Sequence, residues 1–342
     1  MNFCASLPRF ILTLVLSAAS SLCIAQTYTV TDLGTISGDD YSVARAINTT
    51  GQVTGSVGSD RNNISDAYLY RAGQMTSLGT LGGNNGIGNG VNASGQVAGY
   101  STNAAGTYRA FLASDGQMID IGDLGGGSAV AYAINDSAQV VGSAVTTDGS
   151  NHPFLYSNGV MTDLGTLGSP TGGSFWNSAQ GVNNSGEVVG TSYTASGNFR
   201  GFVWNKGKMT ELGTLGGQWS QGYAINNKGQ TTGIAYTKNN AEAHAFLETG
   251  GKLTDLGSLA GPLFASWGFA VNDSGVVVGQ ADFPGNYHAF VYSGGQMKDL
   301  NKLIAAGSGW QLQQAYGINN TGQIVGTGMH NGQERGFLLT PQ

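Results

Sequence analysis

Charged side chains are scarce in this sequence. Of its 342 residues, 14 are Lys or Arg and 20 are Asp or Glu, which is 10% in total. Soluble domains usually carry about one quarter charged residues. The basic residues are scattered singly, and the formal net charge is −6. Recognition of nucleic acid normally needs a cluster or stripe of Lys and Arg, so the sequence argues against a nucleic-acid partner.

Cysteine is nearly missing as well. The only two cysteines, Cys4 and Cys23, lie in an N-terminal segment with the pattern of a secretory signal, in which Arg9 precedes an apolar stretch over residues 10–24. We therefore predict a signal peptide over residues 1–25; a lipid anchor at Cys23 is the alternative. The chain after this signal contains no cysteine, so packing rather than disulfide bonds must stabilise it.

Long hydrophobic runs are absent after the signal. The apolar stretch of the signal is itself shorter than the roughly 20 residues that a membrane-spanning helix needs. We therefore predict that residues 26–342 form one domain without a membrane span, secreted or periplasmic, and monomeric.

Glycine, in contrast, is abundant, with 57 residues that recur at regular intervals. Ile or Val followed by Asn marks the same period seven times, 43 to 48 residues apart. These asparagines are Asn48, Asn92, Asn135, Asn183, Asn226, Asn272 and Asn319. A period of this length is typical of solenoids and propellers, in which repeats stack into one body.

Two further marks recur in a fixed order with the asparagines. The first is His or Arg two residues before an aromatic residue, with Asp66 as the exception: Arg109, His152, Arg200, His244, His288 and Arg335. The second is Asp-Leu-Gly or a near copy, at Asp32, Ser77, Asp120, Asp163, Glu211, Asp255 and Asp299. Each repeat is predicted to form four strands; in the fourth copy these are residues 180–182, 186–192, 199–205 and 208–215. Asn in the turn between the first two strands is expected to cap that turn through its own side chain. Strand three is apolar on both faces, which is expected of a sheet that lies between two others. Four short strands per repeat are typical of a propeller blade.

The ends of the chain favour a ring over an open array. The Asp32 mark precedes every other mark, and the last copy stops before its fourth strand. Residues 28–36 are therefore predicted to supply the outer strand of the last blade, which removes exposed sheet edges. The predicted fold is an all-β, seven-bladed β-propeller with four strands per blade. A β-solenoid is the alternative, but it would need distinct caps on its end repeats.

The three marks together resemble the bacterial "probable extracellular repeat, HAF family", named for the tripeptide found at His244 and His288. The resemblance covers residues 28–340. It implies export from a bacterium and implies no established activity, so it assigns no catalytic residue. The departures are Asp66-Ala67-Tyr68, His152-Pro153-Phe154 and Asp299-Leu300-Asn301.

The basic and acidic marks of one repeat lie eleven residues apart, which places them opposite each other on strands three and four. They are Arg109 with Asp120, His152 with Asp163, Arg200 with Glu211, His244 with Asp255 and His288 with Asp299. In the first copy Ser77 replaces the acid opposite Asp66, and Arg335 is expected to meet Asp32. We interpret these as structural pairs. The sequence assigns no catalytic residue, metal ligand or cofactor.

Aromatic residues outside the repeat pattern are the candidate binding residues. Four of the five tryptophans are placed in the connections from strand four to the next strand one, with further rings nearby: Trp176, Trp219, Trp267, Trp310, Tyr41 and Phe264. Propeller geometry would put them on one face. They either bind a glycan or protein ligand or fill gaps between blades.

The predicted function is a secreted, non-enzymatic binding scaffold. A secreted propeller hydrolase or lyase and a structural envelope protein are the alternatives. Acidic residues and one histidine outside the repeat pattern show no spacing that indicates a reaction, so the sequence leaves enzymatic activity uncertain and favours its absence. These residues are Asp39, Asp40, Asp60, Asp282, His330 and Glu334.

Overall fold

The computed structural model describes residues 27–60, 62–168 and 177–342. In these ranges the chain is all β, apart from two single turns of 3-10 helix at Lys238–Asn240 and Leu300–Lys302. The predicted signal peptide lies outside the described residues.

The strands are short and follow one another closely along the chain. The first thirteen are β1 (Tyr28–Asp32), β2 (Tyr41–Ile47), β3 (Val53–Ser59), β4 (Ile64–Arg71), β5 (Gln74–Gly79), β6 (Gly82–Val91), β7 (Val97–Asn103), β8 (Tyr108–Ser114), β9 (Gln117–Asp120), β10 (Gly125–Ile134), β11 (Val140–Thr146), β12 (Asn151–Ser157) and β13 (Val160–Asp163). The others are β14 (Ser178–Val182), β15 (Val188–Tyr193), β16 (Phe199–Asn205), β17 (Lys208–Glu211), β18 (Gly216–Ile225), β19 (Thr231–Thr237), β20 (Ala243–Thr249), β21 (Lys252–Asp255), β22 (Ser266–Val271), β23 (Val277–Phe283), β24 (Asn286–Ser293), β25 (Gln296–Asp299), β26 (Trp310–Ile318), β27 (Ile324–His330) and β28 (Gln333–Pro341).

Consecutive strands pair antiparallel into four-stranded units. Among the described residues, five sheets contain four strands each, and a sixth contains two such units joined by one parallel bridge between Ser65 and Asn85. The first strand of each unit contacts the first strand of the next, and β26 contacts β2. The sheets thus remain separate, and their first strands form a circle of neighbours around a central channel.

The N-terminal strand completes the sheet of the last repeat. β1 runs antiparallel to β28, with Tyr28 opposite Pro341 and Asp32 opposite Phe337. The sheet order is β1-β28-β27-β26, which places β1 on the outside. The strand ends at Asp32 rather than at the predicted residue 36, because the chain turns where the Gly34 N–H donates to the Asp32 carboxylate at 2.8 Å.

Two strand predictions for the fourth copy were too long. β15 begins at Val188 rather than at residue 186, because the Gly186 N–H closes a turn on the Asn183 carbonyl oxygen at 3.0 Å. β17 ends at Glu211 rather than at residue 215. The first strand of this copy is longer than predicted, because β14 begins at Ser178 rather than at residue 180.

The hydrophobic core lies between neighbouring sheets. One aromatic residue of each third strand is fully buried: Tyr68, Phe111, Phe154, Phe202, Phe246, Phe290 and Phe337. Phe154 packs in one cluster with Ala98 and Ala110 from the preceding unit. Burying each such ring contributes about 2–3 kcal/mol. The apolar character of both faces of strand three therefore reflects a position between two other sheets.

A glycine in each second strand allows the first strand to approach closely. A Cβ atom on Gly142 would lie 2.0 Å from the Val130 carbonyl oxygen. This contact arises where β10 has a bulge between Ala131 and Ala133. The equivalent position in every unit is glycine: Gly55, Gly99, Gly142, Gly190, Gly233, Gly279 and Gly326.

The repeated asparagines close their own turns and also link neighbouring repeats. The Oδ1 atom of Asn183 accepts from the N–H groups of Ser185 and Glu187 at 3.1 and 3.0 Å. Its Nδ2 atom donates to the Asn226 carbonyl oxygen at 3.1 Å. All seven asparagines make this link, and Asn319 donates to Asn48 at 3.1 Å. The predicted role of Asn in these turns is confirmed, and the link to the next repeat was not predicted.

Candidate functional site

The side chains that lie eleven residues apart bridge strands three and four. The distances are 2.7 Å for Arg109–Asp120, 2.8 Å for His152–Asp163, 2.7 Å for Arg200–Glu211, 2.9 Å for His244–Asp255 and 3.0 Å for His288–Asp299. Ser77 donates to Asp66 at 2.5 Å in the first copy. The paired side chains thus contact each other within each sheet. That these contacts stabilise the fold remains a prediction.

Arg335 does not bond Asp32, and that predicted pair was wrong. The Nδ1 atom of His330 lies 2.8 Å from Oδ2 of Asp32 instead. The Arg335 guanidinium donates to the Asp40 carbonyl oxygen at 2.7 Å and to Oε1 of Gln333 at 2.6 Å. The long Arg335 side chain reaches the neighbouring unit, and the shorter His330 occupies the position beside the carboxylate.

The described tryptophans of the predicted face lie in first strands rather than in connections, which corrects the sequence-based placement. Trp219 is in β18, Trp267 in β22 and Trp310 in β26, and each is half-buried. Trp176 lies outside the described residues. Tyr41, in β2, and Phe264, in the connection before β22, are also half-buried.

Each of these three tryptophans packs against an aromatic ring of its own sheet. Trp219 meets Tyr236 edge-on at 4.3 Å between centroids, and Trp267 meets Tyr287 edge-on at 6.2 Å. Trp310 stacks on His330 at 4.5 Å with an interplanar angle of 2°. The rings are thus neither free on the surface nor buried between sheets.

The central channel has a lining that the sequence analysis missed. It encloses a cavity of about 450 Å³ to which every first strand contributes. Each first strand contains an Ala or Gly at the same position of the repeat, and the residue before it lines the cavity: Arg45, Asn89, Tyr132, Gln180, Tyr223, Phe269 and Tyr316, joined by Tyr100 from β7. The residue type at this position differs among repeats that are otherwise similar, and this difference could have indicated the channel lining from the sequence.

Aromatic rings in the channel contact one another from sheet to sheet. Phe269 stacks on Tyr316 at 5.3 Å and lies 5.9 Å from Tyr223. The hydroxyl groups of Tyr223 and Tyr316 donate to the side-chain oxygens of Gln221 and Gln314. Burial raises the pKa of Tyr223 and of Tyr316 above the usual phenol value, so both remain neutral hydrogen-bonding groups at physiological pH.

The opposite end of the channel is polar and internally bonded. The seven repeated asparagines and the residues next to them line a cavity of about 180 Å³ there. Asn184 donates to Asp136 at 2.7 Å, and Asn320 donates to Asp273 at 2.7 Å. Burial opposes ionisation of Asp273, but hydrogen bonds from Asn227 and Asn320 outweigh it and hold the Asp273 pKa below its usual value. These polar groups are largely committed to one another.

The described residues contain neither a candidate metal site nor a membrane-spanning helix. No group of three or more His, Cys, Asp or Glu side chains is arranged there to hold a metal ion. No helix in the same ranges is long and apolar enough to cross a membrane.

Comparison with known proteins adds information at the level of the fold. No protein-family model matches the chain. No curated protein matches it either. Among solved structures, YCF48 bound to D1 peptide is similar, with a TM-score of 0.53 and 12% identity, over 92% of this chain and 94% of that one.

Two peptidases are similar over part of their length. The Pyrococcus horikoshii acylaminoacyl peptidase aligns with a TM-score of 0.52 and 11% identity, over 89% of this chain and 53% of that one. A puromycin-hydrolyzing peptidase from Mycobacterium tuberculosis aligns with a TM-score of 0.52 and 14% identity, over 88% of this chain and 49% of that one. The chain therefore spans about half the length of these peptidases.

Together with the circle of separate antiparallel sheets, these similarities define an all-β protein of the β-propeller class. At such identities the likeness concerns the fold alone.

Proposed function

We propose that this chain is a secreted or periplasmic glycan-binding protein of the extracellular HAF repeat family. In this proposal it is a seven-bladed propeller closed by β1, and its ligand occupies the aromatic side of the channel. The circle of contacts among first strands and the hydrogen-bonded asparagines support the ring. The signal pattern over residues 1–25 supports export.

One observation carries the binding site. In three successive units, the first strand contains a half-buried tryptophan followed by a channel-lining aromatic ring: Trp219 and Tyr223, Trp267 and Phe269, and Trp310 and Tyr316. We call these six residues the aromatic sector. Because its channel rings contact one another across the sheets, the sector forms one surface that leads from the tryptophan end into the channel.

The chemistry of this surface suits a polyhydroxylated ring. Between the fourth and fifth repeats, Trp219 and Gln221 face Tyr193 and Phe199 across a groove of about 250 Å³. Aromatic faces offer flat apolar platforms, while amide and hydroxyl groups beside them fix orientation by hydrogen bonds. Weak overall charge leaves few ionic contacts to drive association.

A protein ligand is the second candidate, because Trp and Tyr are also the residues enriched at protein-binding hot spots. YCF48, of the same fold, was solved with D1 peptide bound. A hydrolase or lyase is a weaker alternative, because the acid–base pairs of this chain bond one another within their sheets.

The test is binding of the secreted protein to an array of neutral and acidic oligosaccharides, with a protein panel beside it. Trp219→Ala should weaken glycan binding by about 2 kcal/mol or more. Trp204→Phe is the matched control, because Trp204 packs into an inter-sheet cluster outside the aromatic sector. A saturable protein ligand without any glycan would overturn the proposal, as would equal effects of the two substitutions.

A further inference from the structure

We propose that the channel contains an anion subsite in which the Arg45 guanidinium binds the carboxylate of an acidic sugar. This inference rests on the proposed glycan-binding function and names the ligand class more narrowly. It concerns a residue that neither the repeat pattern nor the paired marks include.

Arg45 is a cation for which the described part of the chain provides no hydrogen-bond acceptor. Its Nε atom is buried and makes no hydrogen bond among the described residues. No ion pair within the described ranges involves its guanidinium, whose Cζ atom lies 5.5 Å from the centroid of the Tyr316 ring. The Arg45 side chain as a whole is half-buried. A charge that is partly withdrawn from water without a hydrogen-bonded partner is unfavourable, so we assign this position to a ligand.

The strand pattern explains why no described residue accepts a hydrogen bond from Arg45. Tyr223 and Tyr316 occupy the equivalent channel position, and each bonds the glutamine two residues earlier in its own strand. In β2 the residue two positions before Arg45 is Val43, which offers no side-chain acceptor. The channel therefore satisfies these two tyrosine hydroxyls internally and leaves the guanidinium open.

The rest of the lining favours a carboxylate on a sugar ring. No Asp or Glu is among the described residues that line the cavity, so nothing there competes for Arg45. A planar guanidinium matches a carboxylate through two parallel hydrogen bonds. Asn89 and Gln180 supply amides, and Phe269 and Tyr316 supply ring faces. A cavity of about 450 Å³ has room for a sugar unit.

The ionisation of the surrounding groups is compatible with an anion. Burial raises the pKa of Tyr132, and a nearby Tyr100 adds to the effect while Arg45 opposes it. Burial also raises the pKa of Tyr100 itself. These phenols therefore stay neutral near pH 7 and donate hydrogen bonds rather than repel a carboxylate.

The experiment compares oligogalacturonate with a neutral galactose oligosaccharide of equal length, by calorimetric titration of the secreted protein. Wild type should bind the acidic probe at least about tenfold more tightly, and Arg45→Gln should remove that preference. Raising the salt concentration should weaken acidic-probe binding, because screening reduces charge attraction. Arg71→Gln, at an exposed position outside the channel, is the control and should bind as wild type does.

Thermal unfolding separates a binding role from a structural one. Removing an unpaired cation should leave the melting temperature of Arg45→Gln equal to that of wild type or higher, whereas a structural role predicts a fall. Arg45→Lys keeps the charge without the planar fork and should retain only part of the preference. These readouts test the site even if one variant folds poorly.

The outcomes distinguish this inference from the function on which it rests. Equal affinity for acidic and neutral probes, still sensitive to Trp219→Ala, would overturn the anion subsite and leave glycan binding standing. Arg45-dependent binding of a peptide with a free C-terminus, lost on amidation and without sugar binding, would overturn the acidic-sugar assignment. Absence of binding to every sugar probe would overturn both.

Discussion

The Nδ1 atom of His330 lies 2.8 Å from Oδ2 of Asp32, although 298 residues separate them in the chain. This contact joins the end of β27 to the end of β1 across the intervening strand β28. Trp310 stacks on the face of the His330 ring, with 4.5 Å between the ring centroids. One cluster thus connects the N-terminal strand with the first strand of the same sheet.

Removing the N-terminal strand should destabilise the whole molecule. Deletion of Tyr28–Asp32 would expose the edge of β28 and uncover the core cluster that contains Tyr28 and Leu339. We expect aggregation or a fall in melting temperature of about 10 °C or more, measured by calorimetry. Asp32→Asn, which removes only the partly exposed ion pair, should change stability by about 1 kcal/mol or less. A truncated protein that melts with wild type would disprove closure by β1.

The His244–Asp255 pair should show coupling that depends on pH. The His244 side chain is only 5% exposed, and the nearby Asp255 hydrogen bond raises its pKa despite the opposing effect of burial. Burial opposes ionisation of Asp255, but the His244 hydrogen bond and the Gly257 N–H outweigh it and lower its pKa.

The directions of the two pKa shifts define the pH range in which the pair stabilises the fold. The stabilisation that accompanies a raised histidine pKa is fully present below the pKa of the unfolded state and is lost as pH rises through the pKa of the folded state. The stabilisation that accompanies a lowered aspartate pKa is present above the pKa of the unfolded state and is lost as pH falls through the pKa of the folded state. Coupling in a double-mutant cycle of His244→Ala and Asp255→Ala should therefore be largest between pH 3.8 and 6.5. It should be on the order of 1 kcal/mol and decrease toward pH 9. Strictly additive effects at every pH would contradict the pairing.

Gly142→Ala should be among the most damaging single substitutions. Its new methyl group would meet the Val130 carbonyl oxygen at 2.0 Å, and backbone on both strands would have to move. We expect a loss of about 3 kcal/mol or more in chemical denaturation. Gly213→Ala is the control, because the nearest atom to its added Cβ, on the Leu253 side chain, is 3.7 Å away. Similar stability of the two variants would show that the close approach at the bulge is relieved elsewhere.

The tryptophans should divide into binding and structural residues. Trp310 contacts both His330 and the buried Phe337, so Trp310→Ala should lower the melting temperature. Trp267 contacts Tyr287, which is itself 46% exposed, so Trp267→Ala should weaken glycan binding by about 2 kcal/mol or more and leave the fold intact. Glycan affinity and melting temperature, measured for both variants, distinguish a binding role from a structural one. Collapse of the Trp267 variant would assign its ring to the core.

Short-range geometry explains what could be predicted from the sequence. The eleven-residue pairs span one tight hairpin, so the count along the chain brings both side chains close together. In the register, Phe246 lies directly opposite Asp255, and His244 reaches the carboxylate from two residues away. The buried aromatic residue of strand three followed from apolar character on both faces. Turn chemistry likewise predicted the Asn183 contacts to its own backbone.

The channel lining was not predictable by the same reasoning. First strands contain a bulge, for example between Gly222 and Ala224, which breaks the alternation of side chains. Counting every second residue therefore assigns the wrong face to the position of Tyr223. The choice between His330 and Arg335 at Asp32 was also out of reach, because it depends on the Asp40 carbonyl of another unit.

The Nδ2 atom of each turn asparagine donates to the following repeat, and this restricts how the number of repeats can change during evolution. Gain or loss of one repeat by recombination would change the angle at every junction, because Asn319 must still reach Asn48. Repeat number should therefore be inherited as a unit, and new specificity should arise by point substitution instead. Arg45 faces the channel and makes none of these junction hydrogen bonds, so substitution there would leave the junctions intact.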